Sequence, residues 1–294
     1  MEKIIDKLLY NKLVISGGGS KGYIMLGSLH YSHELGLISN IKEYWGVSVG
    51  SLIATFLIIG ISPMDIFFIL YEQGLIGIGD VDLTLDSLFS RLGLYPIETF
   101  GNKIRLLINK YYGKVPTFLE FYTKTGKSLN IIGTNIDEMK SEIFNYKNSP
   151  NMSIIDALEI SCDIPYIFTK KIYNGINYMD GGFVNEFPID EADSGNDNKK
   201  ILGIWIKSCN STGNSYFDNI YRPMIATLTE LQRLRMKGLS KHCDIITIDS
   251  PLLGFTDLNP DRKTKIEMFS NGYKKTEEFF TNKFMNGWDL ELEI

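Results

Sequence analysis

Residues 44–64 read YWGVSVGSLIATFLIIGISPM, and the reading of this stretch decides the fold. It carries no charge and is long enough to cross a bilayer. Its content argues otherwise: Gly46, Ser48, Gly50, Ser51, Thr55, Gly60, Ser62 and Pro63 interrupt it, so the continuous apolar part is short. The alternative is a buried strand over 44–47, a sharp turn, and a helix over 51–59 that is apolar all round and therefore belongs in a core. Ser62 then offers an N-cap and Pro63 the first position of another helix, running to about Gln73. Gly46-Val47-Ser48-Val49-Gly50 falls on the strand-to-helix turn. A nucleophilic serine on such an elbow needs small residues two before and two after, because larger ones clash. Gly46 and Gly50 meet that demand and aim the Ser48 hydroxyl out of the sheet.

Upstream, Leu13-Val14-Ile15 is a strand-like run stopped by Ser16-Gly17-Gly18-Gly19-Ser20-Lys21-Gly22, and a helical spacing follows over 21–35 with Gly36 as its stop. Glycines between a strand and a helix let several backbone N–H groups converge at a helix N-terminus, where negative charge is favoured. Two functions use such a loop: holding a cofactor phosphate, or stabilising an oxyanion during acyl transfer. Gly17-x-Gly19-x-x-Gly22 matches a dinucleotide fingerprint, with Glu34 or Glu43 readable as its ribose acid. A third glycine-bounded turn, Asp180-Gly181-Gly182, ends a strand or hairpin expected over 172–179. An aspartate there can approach another loop closely, or simply make the turn.

Further strands are expected over 128–135, 142–146, 201–206 and 245–248. Helices are expected over 96–112, 118–122, 153–162, and at greater length over about 216–240 and 260–285. Strands alternating with helices predict an α/β fold around a mainly parallel sheet. No repeat or linker divides the chain, so one domain over 1–294 is expected, with a core over about 12–210 and the C-terminal helices packed on it. Residues 74–95 have no period but many apolar side chains, and read as a lid, a membrane-contact surface or an ordinary packed loop.

Composition narrows the chemistry. Hydrophobic residues make up 44% and charged residues 22% of 294, which suits a globular protein, and a net charge of −5 argues against a nucleic-acid surface. With only three histidines (His30, His33, His242) and three cysteines, no zinc-type spacing exists and a disulfide scaffold is not expected. His30 and His33 share a helix face without a third ligand. Asp80, Asp82 and Asp86 fail as a calcium loop, because Leu85 and Arg91 stand where glycine and glutamate are needed. The order Ser48, Asp180, His242 is that of an α/β-hydrolase triad, but only one strand precedes the elbow and His242 reads as a helix C-terminal cation. The N-terminus has no long apolar run or cleavage site, so a cytoplasmic or membrane-peripheral location is expected, without signal peptide or transmembrane helix.

GGGSKG (17–22), GVSVG (46–50) and DGG (180–182), in that order, resemble the patatin-like phospholipase family. SCDIPYIF (161–168) and KIEMFSNGYKKTEEFF (265–280) also look like that family, and the resemblance covers most of 12–285. It implies a three-layer α/β/α sandwich with a mainly parallel central sheet. It further implies a serine lipid acyl hydrolase with Ser48 as nucleophile, Asp180 as general base and no catalytic histidine. The oxyanion hole would be formed by the loop Gly17, Gly18 and Gly19, with Gly18 and Gly19 as the principal donors. Lys21 stands where the family often carries arginine, a point charge in place of a planar fork. Val47 and Val49 are bulkier than the residues often flanking the serine and need to point into the core. The implied substrate is a phospholipid or other acyl-ester lipid, met by transient peripheral membrane contact, with no cofactor or metal. Two other readings stay open at this point: a dinucleotide-binding module using Gly17, Gly19 and Gly22, and a catalytically inactive relative that binds lipid or a partner.

Overall fold

A computed structural model describes residues 9–74, 93–193, 199–208, 216–250 and 260–291. The proposed lid therefore falls mostly outside the described residues, and so do Asp80, Asp82 and Asp86.

Strands β1 (Lys12–Ile15), β2 (Glu43–Val47), β4 (Ser128–Asn135), β9 (Ile201–Ser208) and β10 (Cys243–Ser250) run parallel in the spatial order β10-β9-β1-β2-β4. β5 (Lys140–Phe144) and β8 (Ile176–Asp180) each pair antiparallel with β4, and β7 (Ile172–Tyr173) pairs antiparallel with β8. β3 (Gly93–Tyr95) and β6 (Tyr166–Phe168) form a separate parallel pair that the sequence did not announce. The expected strand over 142–146 begins two residues earlier, because Met139 takes a positive φ of 53° and closes the turn before it. The run 172–179 is a hairpin whose turn residues, Asn174 and Gly175, both have positive φ, as a tight hairpin turn demands.

Both faces of the sheet are covered. Leu13 and Ile15 point into the larger core, which holds residues of helices α1 (Gly22–Glu34), α2 (Val49–Ile58), α3 (Pro63–Gln73), α4 (Ile97–Tyr112) and α6 (Ile154–Ser161). Val14, Trp45 and Val47 point the other way, into a smaller core with Phe187, Trp205 and the short helix α7 (Ile189–Ala192). That alternation along single strands is what a sheet sandwiched between two helical layers requires. The fold is the expected three-layer α/β/α sandwich.

Local signals set the helix ends. Ser62 caps α3 by accepting the Asp65 N–H, with Pro63 at its first position. Thr117 and Glu120 form a reciprocal capping box on α5 (Phe118–Thr125). α8 (Tyr216–Arg235) ends five residues short of the expected 240, and α9 (Arg262–Glu291) packs along α1. There, Gly27 and Gly272 let the two backbones touch: a side chain on either would collide with a carbonyl of the other helix. Thr276 Oγ1 donates to Ser28 Oγ at 2.6 Å across the same seam. No helix among the described residues is long and apolar enough to cross a membrane, and residues 44–64 divide into β2, the turn, α2 and the start of α3.

Candidate active site

Ser48 links β2 to α2 with φ 52° and ψ −128°, a conformation that costs a non-glycine residue about 1–3 kcal/mol and persists only where the surroundings impose it. The surroundings do so. A Cβ on Gly46 would stand 2.5 Å from the Ser51 backbone, and one on Gly50 would stand 2.5 Å from the Ile15 carbonyl oxygen. The elbow is thus clamped against β1 from one side and against its own helix from the other. The Ser48 N–H donates to Ser161 Oγ at 2.9 Å, and Ser161 in turn donates to the Ile132 carbonyl at 2.6 Å. Val47 and Val49, the bulky flanks of the serine, are both buried.

Strand register brings Asp180 to the same spot. Ile132 of β4 has Val47 on one side and Ile143 of β5 on the other. One residue further, Gly133 keeps β5 (Glu142) on that second side, so its other partner, Asp180, occupies the line vacated by β2. Asp180 therefore lies directly past the end of β2, beside Ser48. Its Oδ1 accepts the Gly182 N–H at 2.7 Å, capping the 3-10 turn Gly181–Phe183. Its Oδ2 is buried and, among the described residues, makes no hydrogen bond of normal geometry. Burial pushes the Asp180 carboxyl up to about 7, while the nearby Ser48 hydroxyl and the Gly182 N–H draw it back down. Gly181 is required by proximity to the Ile132 carbonyl, on which a side chain would collide.

The glycine loop faces this pair. Gly19 has φ 53° and opens the 3-10 turn Gly19–Lys21, whose end is closed by the Gly22 N–H on the Gly19 carbonyl. Among the described residues the Gly18 and Gly19 N–H groups meet no acceptor, whereas the Gly17 N–H donates to the Glu186 carbonyl at 2.9 Å. The Gly17 N–H is thereby engaged within the backbone, unlike those of Gly18 and Gly19. Gly22 packs against the Val49 side chain, so close that a methyl group there would clash.

A narrow apolar pocket of about 20 Å³ opens on Ser48, lined by Gly19, Val49, Leu52, Phe100, Cys162, Ile164 and Phe168. The Cys162 thiol is raised well above its ordinary value, by burial first and by the Asp180 charge second, which leaves it a packing group beside Ser48 and Ser51.

Three polar residues escaped the motif reading. Asp163 is buried, its carboxyl pushed up to about 7 by burial, partly offset by the Lys171 N–H. Glu186 keeps some surface as a residue, yet burial of its carboxyl pushes it up to about 7, against the pull of the Lys21 charge. Ser161 is fully buried under the elbow. Ser161 and Asp163 stand inside SCDIPYIF, where polar residues at the end of an apolar helix were the available signal.

Other candidates fall away from the site. Register aligns Cys243 with Ile201, Lys12 and Glu43, so His242 sits at the N-terminal edge of the sheet while Ser48 lies past the C-terminal ends of the strands. Glu43 lies on that same far edge and accepts the Trp45 indole N–H at 2.7 Å. Glu34 accepts the Tyr273 hydroxyl, and His30 packs on Phe269 and Tyr273. No group of three metal-ligating side chains occurs among the described residues.

Residues 13–193 match the family model described as patatin-like phospholipase. A "probable lipid hydrolase" of Invertebrate iridescent virus 6 is 34% identical over 223 residues, 72% of this chain and 74% of that protein. An uncharacterized protein of Acanthamoeba polyphaga mimivirus is 29% identical over 94% of this chain and 95% of its own length. Among solved structures, VipD from Legionella pneumophila superposes with a TM-score of 0.59 at 16% identity, over 93% of this chain and 67% of that one, a likeness of fold.

Proposed function

The chain belongs to the patatin-like phospholipase family, a family of lipid hydrolases, and from that premise we propose that it cleaves fatty acyl esters through a Ser48–Asp180 dyad. Asp180 Oδ2 takes the Ser48 proton as Oγ attacks the ester carbonyl. The developing oxyanion meets the Gly18 and Gly19 N–H groups, each such donor contributing about 2.7–4 kcal/mol to the transition state. The proton passes to the departing alcohol, leaving acyl-Ser48. Asp180 then deprotonates a water that attacks the acyl carbonyl, and the fatty acid leaves as Ser48 recovers its proton.

One observation carries the reading: a serine held at φ 52° beside a buried aspartate whose free oxygen has no other partner among the described residues. A carboxyl raised to about 7 is basic enough to serve without histidine at neutral pH. The wholly apolar lining beside Ser48 is compatible in chemistry with an acyl chain, and the likeness to a probable viral lipid hydrolase supports a glycerophospholipid or related acyl ester as substrate. The test is mass spectrometry of products from a mixed-lipid panel, with Ser48→Ala and Asp180→Asn alongside. Release of fatty acid by the parent chain and by neither variant is the expected result. Full activity in Asp180→Asn would remove the dyad, and an inactive parent chain would favour a lipid-binding relative.

A further inference from the structure

Nucleophile and base arrive on different strands, yet three consecutive residues grip both. Ser161 Oγ accepts the Ser48 N–H at 2.9 Å, and two residues on, the Asp163 carbonyl accepts the Asp180 N–H at 2.9 Å. Cys162, between them, lies beside the Ser48 hydroxyl. All three are buried. The segment is anchored in turn. It closes helix α6, whose Asp156 and Glu159 clasp the nearly buried Lys171 ammonium, Asp156 at 3.3 Å. The Lys171 N–H donates to Asp163 Oδ2 at 2.7 Å, and the Lys171 carbonyl accepts the N–H of Tyr178, two residues before Asp180.

The Ser48 N–H sits at a strained turn, and left unpaired in the interior it would cost about 1–3 kcal/mol. Few side chains can accept from it and donate onward to Ile132 in the same small space. A hydroxyl does both; a methyl group does neither. We infer that Ser161-Cys162-Asp163 sets the spacing between Ser48 and Asp180, and that Ser161 is a positioning residue for hydrolysis, with Lys171 anchoring the segment. The inference rests on the dyad reading above.

The test uses the full chain with a soluble chromogenic acyl ester, and the rate at which a fluorophosphonate labels Ser48. Ser161→Ala is expected to lower kcat about 10–100-fold, the scale of a displacement near 1 Å, with KM within about twofold and labelling slowed in parallel. Ser161→Thr, which keeps the hydroxyl, is expected to recover most of the loss. A folded Ser161→Ala chain with kcat within about threefold of the parent, or with its loss confined to KM, overturns the inference. Should Ser161→Ala fail to fold, Ser161→Cys is read instead. Its thiol is a feeble acceptor of similar size, so a reduced kcat supports the inference and an unchanged one overturns it. Ser48→Ala separates the two levels: hydrolysis surviving that change removes the dyad, whereas loss there with full activity in Ser161→Ala removes only the positioning role.

Discussion

Gly17 and Glu186 are joined by a backbone hydrogen bond of 2.9 Å, and a methyl group on Gly17 would rest 3.7 Å from Glu186 Cγ and 3.7 Å from Ser48 Cβ. The first glycine of the loop therefore spaces the nucleophile from a third buried carboxyl. It also has room to spare, since 3.7 Å is ordinary van der Waals contact. Gly17→Ala is expected to change stability by less than about 1 kcal/mol. Gly50→Ala, whose methyl meets the backbone of β1, is expected to cost about 3 kcal/mol or prevent folding. Thermal unfolding of the two variants measures the contrast, and equal costs would contradict the packing described.

The acid limb of hydrolysis reports Asp180. Its carboxyl must be ionised to take a proton, and burial holds it at about 7. kcat/KM is expected to fall about tenfold per pH unit below that value and to level off above it. A profile flat from pH 5 to 8 would exclude Asp180 as the base.

Stability runs the opposite way. The folded-state value lies above the ordinary 3.8, so the stability Asp180 contributes is fully present below about pH 4 and is lost as pH rises through about 7. Asp163 and Glu186 are raised in the same direction and add to the trend. Asp180→Asn removes one ionisation, so the inactive variant is expected to match the parent in unfolding midpoint near pH 4 and to exceed it above pH 7. Parallel midpoint curves across that range would count against the shift.

Ser48 carries its strain in the backbone. Glycine adopts φ 52° freely and alanine does not, so Ser48→Gly is expected to be about 1 kcal/mol more stable than Ser48→Ala, both being inactive. Denaturant melts of the two variants compare them directly.

His242→Ala is expected to keep at least about half the parent activity, because register places it on the far edge of the sheet. A loss beyond tenfold in steady-state hydrolysis would point to a rearrangement of β10.

The three glycine turns were legible in the sequence because glycine at fixed offsets from Ser48 and Asp180 states a steric requirement directly. The alternation of Leu13, Val14 and Ile15 across two cores was not visible, since a strand buried on both faces shows only a continuous apolar run. Gly17 reads as part of the donor loop behind Gly18 and Gly19, and only the fold reveals that the Glu186 carbonyl already occupies its N–H. Ser161 and Asp163 stand in the family-like stretch SCDIPYIF, but neither they nor Lys171 show in the sequence what they bind. Their partners are 113, 17 and up to 15 residues away, and pairing across such gaps becomes visible only once the strands are in register.

Helix α1 begins where the glycine loop ends, and its outer flank is completed by α9. The Ser28–Thr276 bond spans 248 positions. During synthesis every residue of the loop, elbow and Asp180 turn has emerged long before the helix that seats α1. A nascent chain stopped at residue 193 would hold all the reacting groups and still leave Ile24, Gly27 and Ser28 facing water, with β9 and β10 absent from the sheet. Contacts of this long-range kind form slowly, so the α1–α9 seam is expected to close late in folding.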